Sequence, residues 1–175
     1  MNEVIRAITA RRSIRKFRPE LPAKELISQV AEAGTWAASG MGRQDPVILV
    51  ITKKELRDRI SAANCRIGGW DEGFDPFYGA PVILAVLSPK GRVTAVEDGS
   101  LVLGSMMLAA HSLGLGSVWI HRAKEEFETE EFKALLADLG ITEEMAGIGH
   151  LALGYAEGES PAPSPRKPGR VFYIE

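Results

Sequence analysis

The stretch Leu101-Val102-Leu103-Gly104-Ser105-Met106-Met107-Leu108-Ala109-Ala110-His111-Ser112-Leu113-Gly114-Leu115-Gly116-Ser117-Val118-Trp119-Ile120 passes from a helical pattern to a strand pattern through one glycine turn. Thr94 and Glu97 stand at capping-box spacing ahead of it, and from Leu101 to Ala110 apolar residues cover nearly every face. Such a helix is either the central buried helix of a domain or part of a subunit interface. His111 lies within it with no second histidine, cysteine or carboxylate at ligand spacing, so it reads as a packed histidine and no metal site is expected. The short strand Val118 to Ile120 then presents His121 and Arg122 at its end. If that strand ran parallel to its neighbours, ligands would gather there. The Gly114-Leu115-Gly116 turn opens no helix and is not a dinucleotide fingerprint.

Working outward, two unbroken apolar runs of strand length, Val47 to Ile51 and Val82 to Leu87, read as strands covered on both faces. Gly147 to Gly154 alternates small and apolar residues into a further strand. Helices are expected behind Asn2 (Val4, Ile5, Ile8), from near Pro22 to a terminal Gly34 (Leu26, Ile27, Val30, Ala33), behind a Thr52-Lys53-Lys54-Glu55 capping box, and from Phe132 to Gly140. Cys65 to Gly79 is too long for an ordinary connection. Trp70 is its lid candidate, whereas Phe77 and Tyr78, next to a strand, are expected to fold back on the core. Beyond Gly154, Ser160, Pro161, Pro163, Ser164, Pro165 and Pro168 predict an extended arm over 160-175, closing on the strand-like Val171-Phe172-Tyr173-Ile174.

The segment Arg11-Arg12-Ser13-Ile14-Arg15-Lys16-Phe17-Arg18 gathers five cations and a hydroxyl without a carboxylate. Guanidinium forks suit phosphate oxygens, so the cluster reads as an anion site; taken alone, it also reads as a solvated basic edge. Ala37-Ala38-Ser39-Gly40-Met41-Gly42, followed by Arg43-Gln44-Asp45-Pro46, reads equally as a plain turn or as a surface that a flat ligand approaches closely.

A chain of 175 residues, 45% hydrophobic and 25% charged, is expected to form one domain, residues 1-175. Its net charge of -2 argues against general nucleic-acid binding. Cys65 is the only cysteine, which rules out an intrachain disulfide and fits a cytoplasmic setting. The longest apolar segment is too short to span a bilayer, so no membrane partner is expected.

Four motifs in order, Arg11 to Phe17, Phe77-Tyr78-Gly79-Ala80-Pro81, Met106 to Ile120, and Leu153-Gly154-Tyr155 with Pro165-Arg166-Lys167-Pro168, make the chain resemble the FMN-dependent nitroreductase family, in particular its short single-domain members. The resemblance implies an α+β fold with a nitroreductase-like central mixed β-sheet flanked by helices, in an intertwined homodimer whose C-terminal arm reaches across. It implies FMN sites at the subunit interface: Arg11, Arg12 and Ser13 on the phosphate and nearby ribityl oxygens, Arg15 beside the ring near N1 and the C2 carbonyl, and Arg166 or Lys167 closing on the phosphate. The loop around Ala38, Ser39, Gly40 and Gln44 would line the ring, partly from the partner subunit, and the backbone at Ile120, His121 and Arg122 would approach N5.

The implied activity is ping-pong oxidoreduction, in which NAD(P)H reduces the flavin and a nitroaromatic, quinone or similar small flat acceptor then takes its place. The same fold hosts reductive dehalogenation and flavin degradation, and a flavin binder without turnover is a further alternative. No catalytic side chain is expected, because the cofactor carries the chemistry; a cation such as Arg15 near N1 stabilises the charge that builds on reduction. The chain departs from the family at Gly42, where many members carry asparagine, at Gln44-Asp45-Pro46 and at Ser105. His121-Arg122 replaces a Glu-Gly pair of some larger members, and Arg122 puts a cation near the substrate that favours an anionic acceptor.

Overall fold

The computed structural model describes residues 1–175. The second apolar run forms β2 (Val82–Pro89), and all of it is buried. Successive strand side chains point to opposite faces, so Val82, Leu84 and Val86 enter one core while Ile83, Ala85 and Leu87 enter another. This is why the run is apolar throughout instead of alternating.

β1 (Val47–Ile51), β3 (Gly116–Ile120) and β4 (Met145–Gly154) complete a four-stranded sheet in the order β1-β2-β4-β3. Every strand pair is antiparallel, and the parallel pairing in the molecule is one bridge between Ser13 and Ser117. β3 is therefore not a parallel strand, and the crevice rule for parallel sheets does not apply at His121 and Arg122. β1 is an edge strand and not a fully covered one, with Val50 44% exposed.

α2 (Lys24–Thr35) and α4 (Ala95–Ser112) cover one face through Ile27, Val30, Val102, Leu103, Met106 and Ala110. α3 (Lys54–Gly68), α5 (Ala123–Glu126) and α6 (Glu130–Asp138) cover the other through Ile60, Ala63, Ala123, Phe132 and Leu136. α1 (Glu3–Ala10) is capped as expected, with Asn2 Oδ1 accepting from Ile5 N at 2.9 Å. Its apolar face nonetheless stays exposed at Val4, Ile5 and Ile8.

Other helix signals act differently than their patterns suggest. Thr52 caps nothing, since α3 begins at Lys54 with no side-chain cap; the helix then runs past Cys65, which shortens the irregular segment. The Thr94 hydroxyl donates to Asp98 Oδ2 at 2.9 Å and not to the helix backbone. Gly34 is no terminal cap: it is buried within α2, and a Cβ there would meet Met106 Cγ at 2.8 Å and Ile48 Cδ1 at 2.9 Å. Its role is close packing of α2 against α4.

Phe77 is fully buried, with the Arg57 guanidinium 5.9 Å from its ring centroid, and Tyr78 is half-buried. Trp70 and Phe74 stand exposed, their rings 5.5 Å apart. Residues 160–175 form no helix or strand and are exposed, and Val171-Phe172-Tyr173-Ile174 pairs with no strand of the chain. No helix is long and apolar enough to cross a membrane.

Gly34→Ala sets a helix-propensity gain of about 1 kcal/mol against an overpacking cost of about 1–3 kcal/mol. The overlap with Met106 Cγ lies close to the α4 backbone and yields little, so urea denaturation should give a net loss of about 1 kcal/mol.

Candidate functional site

The basic segment is held by backbone on both sides. α1 ends at Ala10, and the chain then runs beside β3: Ile14 N donates to the Ser117 carbonyl at 3.0 Å. Farther on, Arg18 N donates to the Tyr155 carbonyl and Glu157 N to the Lys16 carbonyl, both at 2.9 Å, which ties the segment to the chain leaving β4. Ile14 and Phe17 are buried anchors, while Arg15, Lys16 and Arg18 point to solvent. Gly116 permits this approach, because a Cβ there would sit 3.0 Å from Ile14 Cγ2.

Arg11 and Arg12 are turned the other way, into a cavity of about 230 Å³ shared with His111, the Gly114-Leu115-Gly116-Ser117 turn, Ala156 and Ser160. Arg12 Nη1 donates to the carbonyls of Thr9 at 2.7 Å and Arg11 at 2.8 Å, which fixes the guanidinium in place. Arg11 Nη1 and Arg12 Nε are buried without any hydrogen-bond partner in the chain. Two buried cationic donors left unpaired are costly unless an anion completes them. The donor set fits a phosphate. Ser13 stands beside it, half-buried and bridged to Ser117. Lys16 instead pairs with Glu157 at 3.3 Å on the surface.

The far end of β3 carries the second part of the site. His121 is exposed, and Arg122 adopts a left-handed backbone (φ 80°, ψ 1°), with its Nη1 3.5 Å from Glu125 Oε1. Five strand residues at about 3.3 Å each put this end ~17 Å from the cation cluster, a length that an extended mononucleotide can span.

The loop residues Ala38, Ser39, Gly40 and Gln44 lie elsewhere, at the start of α4. Gly40 N donates to Asp98 Oδ1 and Gln44 N to Ser39 Oγ, each at 2.9 Å. Arg11 and Arg12 lie near the other end of α4, and 18 helical residues at about 1.5 Å each separate the two regions by ~27 Å. Nor does the chain bring Arg166 or Lys167 to the cluster: Arg166 donates to the Ser164 carbonyl at 2.7 and 3.1 Å, and both residues are exposed.

The Nitroreductase family profile matches residues 8–66 and 70–155. The chain belongs to the nitroreductase family. A putative NADH dehydrogenase/NAD(P)H nitroreductase of Archaeoglobus fulgidus is 30% identical over 161 residues, covering 91% of this chain and 88% of that protein. Among solved structures, a nitroreductase with bound FMN from Bacteroides fragilis superposes with a TM-score of 0.88 at 29% identity, covering all of both chains. One from Desulfitobacterium hafniense, also with bound FMN, gives 0.87 at 28% identity, again over the full length of both.

This nitroreductase-family chain also contains a polar cluster that its sequence does not reveal. Asn64, Glu126 and His150, all 0% exposed, meet beneath the end of β3. Asn64 Nδ2 donates to Glu126 Oε1 at 2.6 Å and to the His121 carbonyl at 2.8 Å, and Glu126 Oε2 lies 2.5 Å from His150 Nε2. The three residues sit far apart in sequence, with no shared spacing to mark them. His111 was legible only as a packed histidine, yet it lines the cation cavity.

Burial pushes the Glu126 carboxyl up to about 8; the Asn64 hydrogen bond opposes the rise and the Glu125 charge adds to it. Burial, with His121 nearby, pushes the His150 imidazole down to about 3. Both groups are thus neutral at pH 7, a proton lying between them. Between pH 4.5 and 8 the folded chain keeps a Glu126 proton that the unfolded chain loses, so this group's contribution to stability falls as pH rises. His150 acts oppositely, favouring unfolding as pH drops from 6.5 toward 3. Glu126→Gln should flatten the decline between pH 5.5 and 8 by on the order of a few kcal/mol, read as urea midpoints against pH.

Proposed function

We propose that the chain is an FMN-dependent oxidoreductase that takes electrons from NAD(P)H and passes them to a small flat acceptor such as a nitroaromatic or quinone. The observation that carries this reading is the pair of buried, unpartnered guanidinium nitrogens, Arg11 Nη1 and Arg12 Nε, in a cavity closed by a glycine turn. Arg11 and Arg12 would hold the FMN phosphate, with Ser13 on nearby ribityl oxygens. FMN, when bound, supplies the acceptance of hydride and its onward delivery. The chain's residues bind, orient and tune.

Arg15 is exposed, is in no ion pair, and lies three residues beyond Arg12 on the same extended segment, so its cation is available to the ring near N1. A fixed positive charge there favours the reduced ring. At the other end, Ile120, His121 and Arg122 would offer backbone to N5. The Arg122 N–H donates to no group of the chain, which leaves it available. The Arg122 side chain, only loosely shared with Glu125, favours an anionic acceptor.

Within one chain the Ala38–Gln44 loop packs at the start of α4, ~27 Å along that helix from Arg11 and Arg12. We infer a homodimer in which Ala38, Ser39, Gly40 and Gln44 line the ring bound mainly by the partner, and in which the arm carries Arg166 or Lys167 across to its phosphate. The exposed apolar residues Val4, Ile5 and Ile8 of α1, Leu101 of α4, and Val171 to Ile174 of the arm fit such an interface. Residues 1–175 would act as one FMN-binding unit with 160–175 as its arm. A lone buried Cys65 fits a reducing cytoplasm, to which we assign the protein.

Purified protein should show a flavin spectrum after incubation with FMN, and NADH or NADPH should bleach it anaerobically; absence of any FMN-dependent spectrum overturns the reading. Arg12→Ala should weaken FMN binding about ten- to a hundredfold by fluorescence titration, as expected for losing a charged donor. Arg15→Ala should keep FMN bound and slow its reduction in stopped flow. Deleting residues 160–175 should shift sedimentation toward the monomer and loosen FMN.

A further inference from the structure

Asn64, Glu126 and His150 form a fully buried polar chain that the cation cluster does not use. His150 is fixed by the sheet, opposite Ala85 of β2 and Ile120 of β3, with the rings of Phe77 and Phe127 at 5.4 and 6.2 Å between centroids. Its Nε2 faces Glu126, Glu126 faces Asn64, and Asn64 ends on the His121 carbonyl. The middle of the sheet is thereby linked to the first peptide beyond β3. Apolar side chains of similar volume would fill this space without the desolvation that buried polar groups carry. What the polar chain adds is direction.

That direction follows from peptide geometry. No peptide bond is cis, and in a trans peptide the carbonyl oxygen and the following N–H point to opposite sides. Asn64 draws the His121 carbonyl into the core, so the Arg122 N–H is turned outward. The Asn64 bond is the one hydrogen bond to that carbonyl, and the Arg122 N–H donates to nothing. Arg122 is also held at φ 80°, a region that non-glycine residues enter only when their surroundings enforce it.

We propose that Asn64, oriented by Glu126 and His150, is a positioning residue that aims the Arg122 N–H at the N5 edge of the flavin, an inference that rests on the FMN reading above. It touches neither cofactor nor substrate. Its effect is on the alignment of one donor, whereas affinity is set mainly by Arg11 and Arg12.

The test titrates FMN into isotopically labelled protein and follows the Arg122 amide by NMR, with stopped-flow reduction by NADH and fluorescence titration alongside. In the wild type the Arg122 amide should move downfield as FMN binds. Asn64→Leu, which keeps the volume and removes both donors, should lose most of that movement and slow flavin reduction about tenfold, the expected scale for a misaimed group, with FMN affinity changed less than about threefold. Glu126→Gln keeps an acceptor for Asn64 and a donor toward His150, and should retain the movement. An unchanged Arg122 shift and rate in Asn64→Leu overturns the proposal, as does a loss of FMN affinity as large as the loss of rate, the mark of general loosening. If Asn64→Leu does not fold, Asn64→Ala and Glu126→Leu carry the same expectation; misfolding of all three overturns the proposal in favour of a purely structural role. A wild type whose spectrum never responds to FMN overturns the flavin reading itself, a result distinct from a responsive wild type with an equally responsive Asn64 variant.

Discussion

The antiparallel pairing of β2 with β4 is the constraint on which the rest of the molecule hangs. Both strands lie inside the sheet and are buried almost throughout, so each must supply apolar side chains to two cores at once. β4 then presents β3 on its free side, and β3 in turn presents a ledge for the basic segment. Each level inherits its register from the one beneath. Ser13 meets Ser117 because β3 is in register with β4, and Arg18 meets Tyr155 because the same β4 continues past the sheet. A slip of one residue would exchange the faces of every side chain and carry Arg11 and Arg12 out of their cavity.

The candidate site spans two places where this scaffold leaves polar capacity unused. At one end, two buried guanidinium nitrogens lack partners, an arrangement that is costly unless an anion completes it. At the other, a buried chain of three polar side chains fixes one peptide and leaves its N–H free. A mononucleotide lying along β3 would satisfy the first and meet the second.

Much of this architecture was legible in the chain. The apolar runs at Val47 to Ile51 and Val82 to Leu87, the all-round apolar α4 and the Asn2 cap declare themselves through periodicity and capping chemistry, which depend on near neighbours alone. The signals that misled were those with more than one physical use. A glycine near a helix end resembles a cap, yet Gly34 is there for contact with Met106; Thr52 and Thr94 resemble N-caps, but α3 begins beyond the first and Asp98 holds the second. The segment after Cys65 looked irregular because its glycines and aromatics obscure the last turn of α3.

The residues Arg11 to Arg18 by themselves determined that five cations stand together without a carboxylate, a pattern open to two readings, an anion site or a solvated basic edge. Only the tertiary structure decided which of them face inward, because Ile14 and Phe17 anchor the segment and their burial dictates that Arg15, Lys16 and Arg18 point outward while Arg11 and Arg12 enter the cavity. It alone could reveal the meeting of Asn64, Glu126 and His150, residues drawn from α3, α5 and β4. Local patterns encode the segments, since propensity and capping act within a few residues. Contacts between distant segments, such as Asn64 with Glu126, are marked by no local spacing and arise only when the whole chain packs.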